Sequence, residues 1–151
     1  MTLTVRFTVR APIDRTWRAL LDVPGIVHCL PGIELTEVHS DRTYRGRLEL
    51  KLGPIHLSYA GLVHIEEADQ ESHTVRMIAR TADGAASIPG ATVLARLLEE
   101  GGATRVLMET QIVERGILGR VGARGMIQMA AQRMSERLAG CLERQLNAAP
   151  G

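Results

Sequence analysis

The side chains best suited to metal or nucleophilic chemistry are five histidines and two cysteines. His28 and Cys29 are adjacent, but neighbours in sequence seldom ligate one ion. His56 and His64 share a face of one extended segment, yet at 3.4 Å per residue they stand roughly 27 Å apart, too far to share a metal. No HExxH, CxxC or GxSxG is present. Gly116, Gly119, Gly122 and Gly125 recur every third residue, after a strand and into a helix, as a phosphate cradle would. The GxGxxG spacing and the Walker lysine are missing, however, and no later strand completes a βαβ unit. Those glycines read as close helix packing or a flexible portal. Neither catalytic residues nor a metal-ligand set is expected.

The methionines carry a different chemistry. Met77, Met108, Met129 and Met134 are soft and adaptable, suited either to filling irregular core space or to walling an apolar pocket. Their company decides: Gly46, Gly61, Ala79 and Ala95 fall on the same inward face and leave volume. Only Tyr59, Thr81 and Thr110 offer inward polar groups on the strands, with no inward carboxylate or imidazole, which favours binding over acid–base catalysis.

The elements that would position this face follow from periodicity. Residues 2–9 alternate Leu3, Val5, Phe7 and Val9 with Thr4, Arg6 and Thr8, the period of a half-buried strand. Pro12 then opens a helix through Asp22 on Ile13, Trp17, Leu20 and Leu21, and a second short helix covers 24–29 before Pro31-Gly32. From about Ile33 to Val113 the chain reads as strands: 43–52, 55–66, and runs on Val75 to Thr81, Ala91 to Leu97 and Val106 to Ile112. Turns fall at Gly53-Pro54, Glu67-Ala68-Asp69-Gln70, Asp83-Gly84 and Gly101-Gly102, short enough for an antiparallel meander. Residues 117–147 form one helix about 45 Å long. Its stripe of Ile127, Ala130, Met134, Leu138 and Cys141 is offset from a second set, Leu118, Val121, Gly125 and Met129. A sheet curled around one helix cannot close over it completely, so a cavity is expected.

Composition bounds the rest. With 151 residues the chain fits one domain, residues 1–147 with a short tail at 148–151, and aromatics make up only 3%. Lys+Arg number 18 against 17 Asp+Glu, with no basic block, so no nucleic-acid partner is expected. Arg115, Arg120, Arg124, Arg133, Arg137 and Arg144 nevertheless make the last helix basic, either as a solvated face or as a docking surface for an acidic partner or anionic headgroups. Two cysteines make no disulfide framework, and neither a signal peptide nor a membrane-spanning run is present. The expected compartment is the cytoplasm, with peripheral contact at the inner face of the membrane.

The segment Cys29-Leu30-Pro31-Gly32-Ile33-Glu34, the Gly53-Pro54 turn, Gly84-Ala85-Ala86 and the glycine-rich start of the last helix occur in one order. Together they resemble the carbon monoxide dehydrogenase G-subunit family, a branch of the START-like (SRPBCC) superfamily, from Phe7 to about Leu142. The resemblance implies an α+β helix-grip fold: a curved antiparallel sheet of about seven strands around a long C-terminal helix, with two short helices between strands 1 and 2. It also implies a non-catalytic accessory protein that binds a quinone or lipid, requires no cofactor, and recruits a molybdenum hydroxylase to the membrane. The sequence stops at Asn147-Ala-Ala-Pro-Gly151, without the anchor-like extension of some members. The ligand-lining set expected is Ile26, Leu30, Leu48, Leu50, Leu57, Tyr59, Met77, Ala79, Met108, Thr110, Val121, Gly125, Met129, Ala130 and Met134, with Ile26, Leu30 and the offset helix set flanking the entrance. Two other readings stand beside this one: a polyketide cyclase/aromatase-like enzyme acting on an apolar substrate in the same cavity, and a protein–protein adaptor with a collapsed core.

Overall fold

The computed structural model describes residues 1–52, 54–81, 90–112 and 123–148, with the backbone alone for Leu50, Leu52, Ile55, Leu57, Thr81 and Ala123. Strand β1 (Thr2–Val9) leads through helix α1 (Ile13–Leu21), the single-turn α2 (Val23–Ile26) and a 3-10 turn (Val27–Cys29) into β2 (Ile33–Val38). The strands β3 (Thr43–Leu52), β4 (Ile55–Asp69), β5 (Thr74–Thr81), β6 (Ala91–Glu100) and β7 (Ala103–Ile112) follow, and α3 (Ala123–Ala148) closes the chain. All seven strands form one antiparallel sheet in the order β1-β7-β6-β5-β4-β3-β2. The expected meander is therefore present, and β1 returns to pair with the last strand.

The register carries the inward face across the sheet in rows, because directly paired residues project to one side. Leu3, Thr110, Val93, Met77 and Ile65 make one row, and Val5, Met108, Ala95, Val75 and Ala68 the next. Between Ile65 and Glu67 the pairing slips by one residue, a bulge that restores Ala68 to the inside. The bulge explains why β4 runs on to Asp69 where the sequence suggested a turn at residues 67–70: the extra residue breaks the alternation and leaves Glu66-Glu67 looking like its end.

A second bulge, between Leu35 and Glu37, bends edge strand β2. There the β2 backbone comes so close that a Cβ on Gly46 would run into the Glu34 carbonyl oxygen. Gly46 therefore serves strand approach, not pocket volume as its inward position suggested.

Helix α3 packs chiefly along β1 and also touches α1, the 3-10 turn and β3. Strands β1 and β3 are five places apart in the sheet, so one helix can meet both only if the sheet curls around it. Along β1 the contact is polar as well as apolar. Gln128 and Gln132 donate to the carbonyls of Thr4 and Arg6 at 2.8 and 3.1 Å, Asn147 donates to that of Arg10, and Glu143 accepts from the Arg10 amide at 2.8 Å. Helical side chains thus occupy the ladder positions that a further strand would take, which blunts the free edge of β1.

Two substitutions test this account. Gly46→Ala should lose about 1–3 kcal/mol in urea unfolding, the usual cost of forcing an atom into a packed site, because the atom opposed to it is backbone. Gln128→Ala with Gln132→Ala should lose about 1–2 kcal/mol, the net worth of two hydrogen bonds.

Candidate functional site

The core divides in two. The larger cluster joins Phe7, Val9, Ala11, Trp17, Ile26, Ile65, Val75, Leu97, Val106, Leu138 and Leu142, with α1 and α2 closing over that end of the sheet. A smaller cluster centres on Leu3 and Ile127, with Tyr59, Ile112, Met126 and Ala130 packed against it. Leu48, Val63, Ala79, Val93 and Met134 belong to neither cluster and are only half-buried.

The helix shows the same interruption. On its inward stripe Ile127 and Leu138 are 6% and 5% exposed, whereas Ala130 and Met134 between them are half-buried. Helix middles ordinarily bury best. Here Ala130 and Met134 on the helix and Val63, Ala79 and Val93 on the inward face of the sheet are incompletely covered, although Ser135 beside them is buried, a pattern apolar walls show when they face unfilled space.

Eight residues of the expected lining set on the sheet and α3 are neither fully buried nor exposed. Leu48, Tyr59, Met77, Ala79, Met108, Thr110, Ala130 and Met134 are all half-buried; Met77 and Met108 lean on the larger cluster, Tyr59 and Ala130 on the smaller. Val63 and Val93 join them by the same alternation, although they were not expected as lining. Leu50 and Leu57 pair directly in the β3–β4 register, with their side chains outside the described residues.

Other expectations are corrected. Met129 is 57% exposed, and a Cβ on Gly125 would meet only open space, so neither faces the inward wall. The reason is geometric: both stand off the stripe that Ile127, Met134 and Leu138 turn toward the sheet. Ile26 is buried inside the larger cluster, which makes it a core residue and not an entrance, and the half-buried Leu30 packs against that cluster as Met77 and Met108 do. Val121, Leu118, Gly116, Gly119, Gly122, Arg115 and Arg120 lie outside the described residues, as do the Asp83-Gly84 turn and Gly84-Ala85-Ala86.

The histidines separate as their spacing implied. His64 Nδ1 lies 2.9 Å from the Thr43 hydroxyl, while His56 lies 3.8 Å from Glu49 on the outer face. His73 fastens the β4–β5 turn to α1, with Nε2 3.2 Å from Asp14 and its ring edge-on to Trp17 at 5.5 Å between centroids.

The sequence did not foresee a bond between Cys29 and Cys141. They form a disulfide with Cα atoms 5.6 Å apart, joining the 3-10 turn to α3 across a sequence separation of 112. The bond borders a surface cleft of about 380 Å³ that His28, Glu136, Arg137 and Arg144 also line. Two cysteines so distant in sequence carry no spacing signal.

A curved antiparallel sheet gripping a long C-terminal helix, with short helices after the first strand, defines a helix-grip, START-like protein. The solved structures it resembles share that architecture over nearly their whole length. They include a protein from Thermus thermophilus (21% identity, 100% of both chains, TM-score 0.70). A conserved protein from Geobacillus kaustophilus superposes with TM-score 0.77 at 12% identity, over 98% of this chain and 96% of that one. The Zhui aromatase/cyclase from a Streptomyces species does so with TM-score 0.68 at 20% identity, over 100% and 98%. Residues 6–147 match the family model of the carbon monoxide dehydrogenase G-subunit (CoxG), and the chain belongs to that family. No curated protein matches the sequence. Among the described residues, no helix is long and apolar enough to cross a membrane.

Since nothing opposes a Cβ at Gly125, Gly125→Ala should raise stability by up to ~1 kcal/mol, measured by chemical denaturation, through helix propensity and a less flexible unfolded chain. Cys29→Ser should lower it by about 2–4 kcal/mol relative to the oxidised protein, as the loss of a long cross-linked loop does.

Proposed function

We propose that this protein is a non-catalytic accessory subunit whose half-open apolar face, between the sheet floor and the middle of α3, holds the ring or tail of a quinone or lipid. Through that ligand and its surface it couples a molybdenum hydroxylase, such as carbon monoxide dehydrogenase, to the membrane. One observation carries the reading: among the described residues, the apolar side chains of Val63, Ala79 and Val93 on the inward face of the sheet and Met134 on the helix belong to neither packed cluster and are only half-buried. A ligand of flat or elongated apolar shape would cover both walls. Membership of the CoxG family supports the choice of enzyme partner.

The likeness to an aromatase/cyclase favours a second reading, an enzyme using the same space on an apolar substrate. Among the described inward residues beside that space, the polar groups are the hydroxyls of Tyr44, Tyr59, Thr110 and Ser135, the last donating to the Ala131 carbonyl, a sparse set for proton transfer.

A long-chain quinone at ~100 times its Kd should stabilise the fold by ~2.7 kcal/mol, a rise in Tm of several degrees that thermal melts would register. Ala79→Phe, which fills that space from the floor, should abolish the rise, and Met129→Gln on the outer face of α3 should leave it intact. The quinone should be recovered unaltered after incubation; a new product would establish the enzyme instead. Membrane flotation of the molybdenum hydroxylase with and without this protein tests the coupling, and identical partitioning would refute it.

A further inference from the structure

Away from the apolar face, the Cys29–Cys141 pair closes a set of metal-type donors that no single stretch of sequence contains. His28 Nε2 lies 3.6 Å from Cys29 Sγ, and these two atoms and Cys141 Sγ all lie within 4.8 Å of one another. For a tetrahedral zinc ion, with bonds of about 2.3 Å to sulfur and 2.0–2.1 Å to nitrogen, the sulfur–nitrogen edge is roughly 3.6 Å. The His28–Cys29 separation already matches it, so adjacency in sequence is no obstacle here: the 3-10 turn folds the imidazole back over the neighbouring sulfur.

The setting suits thiolates. Arg137 and Arg144 line the same cleft and favour ionised sulfur, while Glu136 supplies an oxygen donor on the same wall. His28 is exposed and Cys141 half-buried, which leaves a path for an ion from solvent.

We propose that the reduced form of this protein binds one Zn2+-class cation through Cys29, Cys141 and His28, with the fourth position filled by water or the Glu136 carboxylate, and that forming the disulfide abolishes the site. The chemistry balances. A dithiol or phosphine reductant delivers two electrons to the disulfide and is itself oxidised, the two sulfurs take up two protons as thiols, and metal binding releases both protons. Metal and disulfide are then alternative ways of fastening the 3-10 turn to α3. This inference does not depend on the apolar ligand or the enzyme partner.

The test uses the full chain, reduced with a phosphine and desalted without oxygen, then titrated with Co2+ as a spectroscopic stand-in and with Zn2+. One Co2+ per chain should bind, giving thiolate-to-cobalt charge transfer and the visible bands of a tetrahedral site, both lost when Zn2+ displaces it. Cys141→Ser, which leaves one thiolate, should lose at least half of the charge-transfer intensity. His28→Asn, at an exposed position that leaves the core untouched, should weaken affinity by ~10-fold or more. Circular dichroism of each variant separates ligand loss from unfolding. A reduced protein with two titratable thiols but no saturable cobalt spectrum would overturn the proposal. So would a spectrum that His28→Asn leaves unchanged, or equal binding to the oxidised protein.

Discussion

A curved open sheet has two free edges and a concave face, and here one helix must serve most of them at once. The governing constraint is the contact between α3 and the edge of β1. Gln128, Gln132, Glu143 and Asn147 engage backbone groups of β1 and of Arg10 just beyond it at intervals along the helix, so the helix is held by its flank beside the sheet edge. With the helix fixed at this edge, the rest of the sheet must bend to reach its other side, and the contact with β3 marks how far it succeeds.

That arrangement makes the incomplete core a consequence of geometry. Packing is tight where a second layer helps, near α1 and α2, with Val9, Val106 and Leu142 fully buried. It is tight again near the start of α3, where Leu3 and Ile127 meet. Between those ends the described floor residues Val63, Ala79 and Val93 are small or slender, and an unfilled apolar volume costs roughly 24 cal/mol per Å³ relative to a filled one. A gap of that kind costs stability, and the cross-link between Cys29 and Cys141 works in the opposite direction.

Most of the fold was legible in the sequence because period-two alternation survives wherever one face is buried. The limits of β1 and β3 and the apolar inward rows follow from it directly, as do the inward positions of Met77, Ala79, Met108 and Thr110. What escaped was whatever depends on local irregularity or distant contact. The bulge at Ile65 disguised the end of β4, and Gly46 looked like spare volume until Glu34 proved to lie against it. Met129 and Gly125 show that a helical wheel reveals which residues share a face but not which face is turned inward. The cysteines were visible as residues and invisible as a pair, since only the folded chain brings positions 112 apart within bonding distance.

The bond between Cys29 and Cys141 also divides the chain mechanically. It closes a covalent loop around β2 to β7, leaving β1 with α1 and α2 on one side and the last turns of α3 on the other as the only free ends. Tension applied at the two termini would be borne by the sulfur–sulfur link once β1 had peeled from β7, and the meander inside the loop would feel almost none of it. In the oxidised state the strands that carry the apolar floor are shielded from stretching, while β1, the strand that α3 holds, is the part a pulling force meets first.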